Sequence, residues 1–273
     1  MSHAPWKGFE TFMIYNILIA VSVMAGVGLL FGLVLGIAGK IFHVAQDERI
    51  DRIIDILPCV NCGGCGFSGC NAYAHAVVDG KASPAACSVG GSECAQNVAQ
   101  IMDTEAIFVS KVAAVKCGGC SDKATQRYDY TGYQSCDAVR RSGTAKACTF
   151  GCLGTGSCAA VCDYGAIKMV NGIAEIDSAK CTACGKCIKR CPQKIIEFIP
   201  QDKQYYVACH SQDRGKEMKD LCTVGCIACG ICVKNCPTDA ITIHQNSAVI
   251  DHALCTGCSI CAEKCPKKTI CSL

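Results

Sequence analysis

Aromatic residues are scarce in this chain: one Trp, eight Tyr and eight Phe among 273 residues. Cores built on large rings must therefore be small. Charge of one sign is also lacking, with 26 Lys and Arg against 23 Asp and Glu, a net +3. A nucleic-acid binder would carry a basic excess or stripe, so no nucleic-acid partner is expected. No Gly-rich dinucleotide fingerprint follows a strand pattern, which leaves no sign of NAD or flavin binding. The six histidines (His3, His43, His75, His210, His244 and His252) form no close pair of metal-binding or catalytic kind. Each reads as a surface or internally satisfied side chain, and no catalytic residue is assigned.

Cysteine, in contrast, is abundant: 28 residues, or about one in ten. A fraction above roughly 8–10% usually marks a short secreted disulfide scaffold. Such scaffolds are small because they lack a core, and this chain is several times too long. The 51% hydrophobic content counts those cysteines, so something besides apolar burial is expected to hold much of the chain together.

Charge is missing altogether from Thr11 to Gly39, a stretch of 29 residues rich in Ile, Leu, Val and Gly. A bilayer core needs about 20 such residues, whereas the apolar part of a signal peptide runs about 7–15. The reading is a membrane anchor over 1–46 with a transmembrane helix at about 12–39. Gly26, Gly28, Gly32, Gly36 and Gly39 stud its second half, which would let another helix approach closely. Lys40, Arg49 and Arg52 follow the span, against Lys7 before it, a bias that places the C-terminal part in the cytoplasm. Dense thiols fit that reducing compartment. Residues 47–57 (DERIDRIIDIL) read as a short amphipathic helix, with Ile50, Ile53, Ile54 and Leu57 on one side.

The run C-x2-C-x2-C-x3-C-P occurs three times: Cys181, Cys184, Cys187, Cys191; Cys226, Cys229, Cys232, Cys236; and Cys255, Cys258, Cys261, Cys265, each with its proline. Three thiolates from one tight loop reach three irons of a cubane, and the fourth ligates the other cluster of a two-cluster ferredoxin. Structural zinc uses two separated pairs instead of triplets. The chain also repeats itself at one constant offset: Cys162 falls on Cys236, Cys191 on Cys265, Ala166-Ile167 on Ala240-Ile241, and Ile176-Asp177 on Ile250-Asp251. Two dicluster ferredoxin modules are expected, at 148–199 and 222–273, with hairpins turning at Asn171-Gly172 and Gln245-Asn246. Crossed ligation follows, with Cys162 joining Cys181, Cys184 and Cys187, Cys191 joining Cys148, Cys152 and Cys158, Cys236 joining Cys255, Cys258 and Cys261, and Cys265 joining Cys226, Cys229 and Cys232.

The first run of module 1 is broken. Cys152, Cys158 and Cys162 match Cys226, Cys232 and Cys236, but Thr155 stands where Cys229 does, and Asp163 replaces the proline. Cys148 is assigned to fill the vacancy by folding back, with Gly151, Gly154 and Gly156 permitting an altered loop path. A three-iron cluster or a non-cysteine ligand are the alternatives. A fifth set lies behind the anchor, Cys62-x2-Cys65-x4-Cys70-x16-Cys87, and reads as a single-cluster domain over 47–100, with zinc as the alternative.

These assignments use 20 cysteines as cluster ligands and imply five 4Fe–4S clusters. In the segment 101–147, read as a cysteine-containing linker, Cys117, Cys120 and Cys136 would begin a sixth site, completed by Cys209 or Cys222. Otherwise they are buried or free thiols. Cys209 lies in the connector 200–221. Cys222 is the repeat equivalent of Cys148, so the two are expected to share a role. Cys59, Cys94 and Cys271 have no assigned role. The fold class is α+β: one membrane helix, then small domains nucleated by clusters.

A single N-terminal span, then LPCVNCGGCGFSGC with the distant Cys87, then ferredoxin modules, resembles the B subunit of the Rnf complex in its longer, two-module form. The resemblance implies an electron-transfer subunit of a ferredoxin:NAD oxidoreductase coupled to Na⁺ or H⁺ translocation in a bacterial cytoplasmic membrane. It implies soluble ferredoxin as donor, and partner subunits whose flavins reduce NAD. A membrane-anchored polyferredoxin serving a hydrogenase or another dehydrogenase is the alternative. Ferredoxins are generally acidic, so their dock should be positive. Lys180, Lys186, Lys189, Arg190 and Lys194 crowd one motif, and Lys264, Lys267 and Lys268 another.

Overall fold

A computed structural model describes residues 6–41 and 47–273, with side chains from Phe12 to Lys40 and from Asp47 onward. It divides into two units, Met1–Asp47 and Glu48–Leu273. The ends of the expected anchor, with His3 and His43, lie outside the described residues.

Among its described residues the first unit has one long helix, α1 (Trp6–Ile41). Its stretch Phe12–Lys40 is long and apolar enough to cross a membrane, with mean hydropathy 2.6 and none of it buried. At 1.5 Å per residue, 29 helical residues rise about 44 Å, more than the roughly 30 Å hydrocarbon core. The five glycines expected at a helix contact have no atom within 4 Å of a built β-carbon.

The second unit begins with three helices: α2 (Glu48–Ile56), α3 (Cys70–Val78) and α4 (Gly91–Ile101). The apolar side of α2 packs as its 3.6-residue period requires, burying Ile50, Ile53 and Leu57 against Tyr73, Ala74, Val77 and Val98. Tyr73 is 1% exposed, and its hydroxyl donates to the carbonyls of Ser83 (2.8 Å) and Pro84 (2.9 Å). Those bonds pin the loop that leads to Cys87.

Module 1 comprises β1 (Lys111–Val115), α5 (Cys136–Ser142), the hairpin β2 (Ile167–Val170) and β3 (Ile173–Ile176), α6 (Lys186–Arg190) and β4 (Ile196–Pro200). Module 2 repeats the plan with β5 (Tyr205–Val207), α7 (Gly215–Leu221), α8 (Ile231–Lys234), the hairpin β6 (Ile241–His244) and β7 (Ser247–Ile250), α9 (Ile260–Lys264) and β8 (Ile270–Ser272). The four sheets among the described residues are antiparallel pairs. Both hairpins turn at the expected residues, with positive φ at Asn171 (45°) and Gly172 (74°), and at Gln245 (46°) and Asn246 (62°). Two consecutive left-handed residues make the tight turn whose twist matches antiparallel strands.

The stretches read as linker and connector are woven into the modules. β1 pairs with β4, placing Val115 opposite Ile196, and β5 pairs with β8, placing Val207 opposite Ile270. Ile196 and Ile270 are equivalent by the repeat, so the motif-free strands β1 and β5 fill equivalent places although they do not share its offset.

Candidate cluster sites

Each triplet loop has the same backbone device. Positive φ recurs two residues apart at Ala183 and Gly185, Ala228 and Gly230, and Gly257 and Ser259. These left-handed residues curl the loop so that three sulfurs point inward. The broken loop has the same pair, Gly154 (φ 81°) and Gly156 (φ 77°). Its path is therefore unaltered, and Thr155 occupies the position of Cys229.

Five cavities of similar size, 330–380 Å³, contain four cysteines each. One has Cys162, Cys181, Cys184 and Cys187. Another has Cys226, Cys229, Cys232 and Cys265, and a third Cys236, Cys255, Cys258 and Cys261. These three groupings have the crossed pattern, with the fourth cysteine of each run reaching the other loop's cavity.

The fourth cavity holds Cys152, Cys158 and Cys191 with Cys136, not Cys148. Cys136 opens α5, where the Ser135 hydroxyl caps the helix by accepting from the Ala138 amide. The Thr155 hydroxyl donates to Cys136 Sγ at 3.0 Å, so the residue in the vacant ligand position faces the Cys136 sulfur. Cys148 lies in the fifth cavity, with Cys117, Cys209 and Cys222. The set Cys148, Cys152, Cys158 and Cys191 expected from spacing is thus divided between two cavities. The fold-back needed an altered loop, and the loop is unaltered. Cys120 lines neither cavity.

Behind the anchor, Cys65, Cys70 and Cys87 pack into one core together with Cys94. Cys62 stands at the start of that loop, its sulfur accepting from the Gly64 amide at 3.4 Å. The Cys94 thiol hydrogen-bonds Cys87, lowering Cys87 to about 6 while Cys94 is raised. Sequence spacing missed Cys94 because it sits one helix beyond the motif; only its burial on α4 marks it. Cys59 is exposed, and Cys271 lies on β8.

The thiols are electrostatically costly as bare thiolates. Burial first, and then the other cysteines of the same cavity, push Cys158 up to about 12 and Cys187 and Cys232 up to about 11. Cys136 differs: burial acts to raise it, but hydrogen bonds from Thr155 and Ser157 outweigh that and hold it below the ordinary thiol value. Iron offsets the repulsion, because a metal-bound thiol is deprotonated outright. Backbone amides also donate to sulfur, from Ala113 to Cys181, Gly257 to Cys255 and Thr269 to Cys265, each at 3.4 Å. Such bonds tune a cluster's potential. Among the described residues no three His, Cys, Asp or Glu converge tightly enough for a single ion. The donor sets fit 4Fe–4S clusters.

Paired cysteine loops around cavities lined by four cysteines each, joined by small hairpins, define an iron–sulfur electron-transfer protein of the polyferredoxin kind. Comparison with known families agrees. Residues 57–89 match the family described as "Putative Fe-S cluster", and residues 148–195 and 225–269 match "4Fe-4S dicluster domain". The B subunit of the Na⁺-translocating ferredoxin:NAD⁺ oxidoreductase complex of Acetobacterium woodii is 46% identical over 89% of this chain and 74% of its own length. The B subunit of the ion-translocating oxidoreductase complex of Methanosarcina acetivorans is 39% identical over 87% of this chain and 91% of its own. The proton-translocating counterpart from Clostridium ljungdahlii is 41% identical over 88% and 86%. The chain belongs to the B-subunit family of these ion-translocating (Rnf) complexes, and is an electron-transfer subunit with iron–sulfur domains behind one apolar helix.

Proposed function

We propose that the chain accepts single electrons from a reduced ferredoxin at module 2 and relays them through module 1 and the domain over 47–100 to flavin-bearing partner subunits. NAD reduction and Na⁺ or H⁺ translocation belong to those partners. Each transfer oxidises one ferredoxin by one electron, so two transfers match one NAD. Five 4Fe–4S clusters supply the one-electron chemistry. They would be held by Cys62, Cys65, Cys70 and Cys87; Cys136, Cys152, Cys158 and Cys191; Cys162, Cys181, Cys184 and Cys187; Cys226, Cys229, Cys232 and Cys265; and Cys236, Cys255, Cys258 and Cys261. The cluster domains face the cytoplasm.

The observation that carries this reading is close approach between neighbouring sites. A β-carbon on Gly64, in the first cluster loop, would lie 3.0 Å from the Cys184 carbonyl, and Lys189 Nζ donates to the Gly63 carbonyl. The single-cluster domain therefore abuts the Cys184 loop and α6 of module 1. Uptake at module 2 is supported by Cys229 and Cys258, the two exposed cysteines of the ferredoxin loops. Charge points the same way. Around Cys181–Cys191, Lys180 pairs with Asp177, Lys186 with Asp163 and Arg190 with Asp137. Among the described residues Lys264, Lys267 and Lys268 enter no ion pair.

The test is stopped-flow reduction by ferredoxin over a salt series, comparing the parent with a Lys264→Gln, Lys267→Gln, Lys268→Gln variant. The parent's rate should fall as the Debye length drops from about 10 Å at 0.1 M to about 3 Å at 1 M, and the variant should be slower and flatter. A salt-independent parent rate rules out electrostatic docking. A salt-sensitive rate that the triple change leaves alone moves the dock elsewhere.

A further inference from the structure

We propose that Cys117, Cys148, Cys209 and Cys222 hold an additional 4Fe–4S cluster that bridges the two ferredoxin modules. The inference rests on the polyferredoxin reading and extends it to a cavity that the dicluster pattern does not include.

The four cysteines surround a cavity of about 370 Å³, within the size range of the other four. Each module contributes two, from equivalent positions. Cys148 and Cys222 are related by the internal repeat, and their sulfurs accept from the amides of Phe150 and Val224, which are related by it too. Cys117 follows β1 by two residues and Cys209 follows β5 by two. Those strands pair with β4 and β8 at equivalent residues, and the equivalence continues beyond them. The Lys116 amide bonds the Ile195 carbonyl, and the Ala208 amide bonds the Thr269 carbonyl, a further pair of repeat equivalents. The site therefore draws an equivalent ligand pair from each half.

It also touches a ligand of each module. The amide of Cys152 donates to Cys117 Sγ at 3.3 Å, and the amide of Cys226 hydrogen-bonds Cys209. Cys152 and Cys226 are themselves repeat equivalents. The chain thus runs from a module 1 ligand, through this cavity, to a module 2 ligand with one hydrogen bond at each step. Glycine makes room for it: a β-carbon on Gly119 would lie 3.2 Å from Cys222 Sγ, and one on Gly151 3.5 Å from Cys117 Sγ. A buried cation also lines the cavity. Lys146 is 8% exposed, and its Nζ is held by the carbonyls of Gly119 (2.8 Å) and Gly172 (2.9 Å). It suits a group of net negative charge.

The full chain, purified anaerobically, should contain about 24 irons with matching acid-labile sulfide, against about 20 for five clusters of four. A Cys117→Ala, Cys209→Ala variant should fall to about 20 and keep its dithionite-bleachable absorption, while Cys120→Ala changes nothing. A parent near 20, or a double variant equal to its parent, overturns the proposal and leaves the five-cluster reading intact. A parent with zinc, or without a bleachable spectrum, brings down the polyferredoxin reading itself. Should the double variant lose more than one cluster's iron, Cys209→Ala alone decides: a three-iron EPR signal in the oxidised protein supports the site, and its absence refutes it.

Discussion

Replacing Cys136 by Ala removes one of four thiols from the cavity that also contains Cys152, Cys158 and Cys191. Three sulfurs remain, enough for a three-iron cluster but not for a cubane. The loss is one iron if the remnant persists and four if it does not, or about 5–20% of the roughly 20 irons in five clusters. The geometry also provides the rescue. The Thr155 hydroxyl lies 3.0 Å from Cys136 Sγ, and Gly154 and Gly156 already give its loop the curl of the intact loops. A sulfur on the β-carbon of residue 155 therefore reaches the vacated corner. Cys136→Ala should show a three-iron EPR signal when oxidised, and Cys136→Ala with Thr155→Cys should restore full iron and abolish that signal. Thr155→Cys should not rescue Cys148→Ala, because Cys148 lies in the other cavity. Full iron in Cys136→Ala, or rescue of Cys148→Ala by Thr155→Cys, would refute the assignment and return the ligand role to Cys148.

Thr155→Val deletes a hydrogen bond to a cluster sulfur, which disfavours the more negative reduced state. If about 1 kcal/mol of such a bond is differential between redox states, the potential of that cluster drops by roughly 40 mV for one electron, read by EPR-monitored titration; an unchanged or higher value contradicts it. Residues 47–273 expressed alone should be soluble, brown and reducible, since the helix α1 and the cluster domains form separate units; undiminished co-purification of membrane partners would show that the anchor is not required for assembly. Tyr73→Phe leaves the carbonyls of Ser83 and Pro84 without the hydroxyl, a cost of about 1–3 kcal/mol; its visible absorption should bleach at lower temperature than the parent's, and an identical bleaching curve would show that the pair of bonds does not hold the Cys87 loop.

The sequence by itself determined whatever is enforced over a few residues. Two-residue spacers bring three sulfurs of Cys181, Cys184 and Cys187 inward because the intervening backbone has only one way to curl, and the left-handed Ala183 and Gly185 are that way. An uncharged run from Thr11 to Gly39 reads as a membrane span because length and polarity are local properties. The hairpins followed from Asn171-Gly172 and from the repeat at Gln245-Asn246. Tertiary structure decided which lone cysteine completes which cavity. Cys136 and Cys148 both lie shortly before the broken loop, and nothing in spacing distinguishes them as partners for Cys152. The choice depends on α5 lying against that loop and on Cys148 turning toward Cys222. Likewise β1 and β5 belong to no motif, being short strands whose partners β4 and β8 lie far along the chain. Their placement of Cys117 and Cys209 comes from long-range pairing, which local pattern cannot encode. The two lysine patches looked alike in sequence as well. Lys180 has a local partner in Asp177 three residues before it, but only the folded chain brings Asp163 to Lys186 and Asp137 to Arg190, because those acidic partners are distant in sequence and are brought within reach by folding alone.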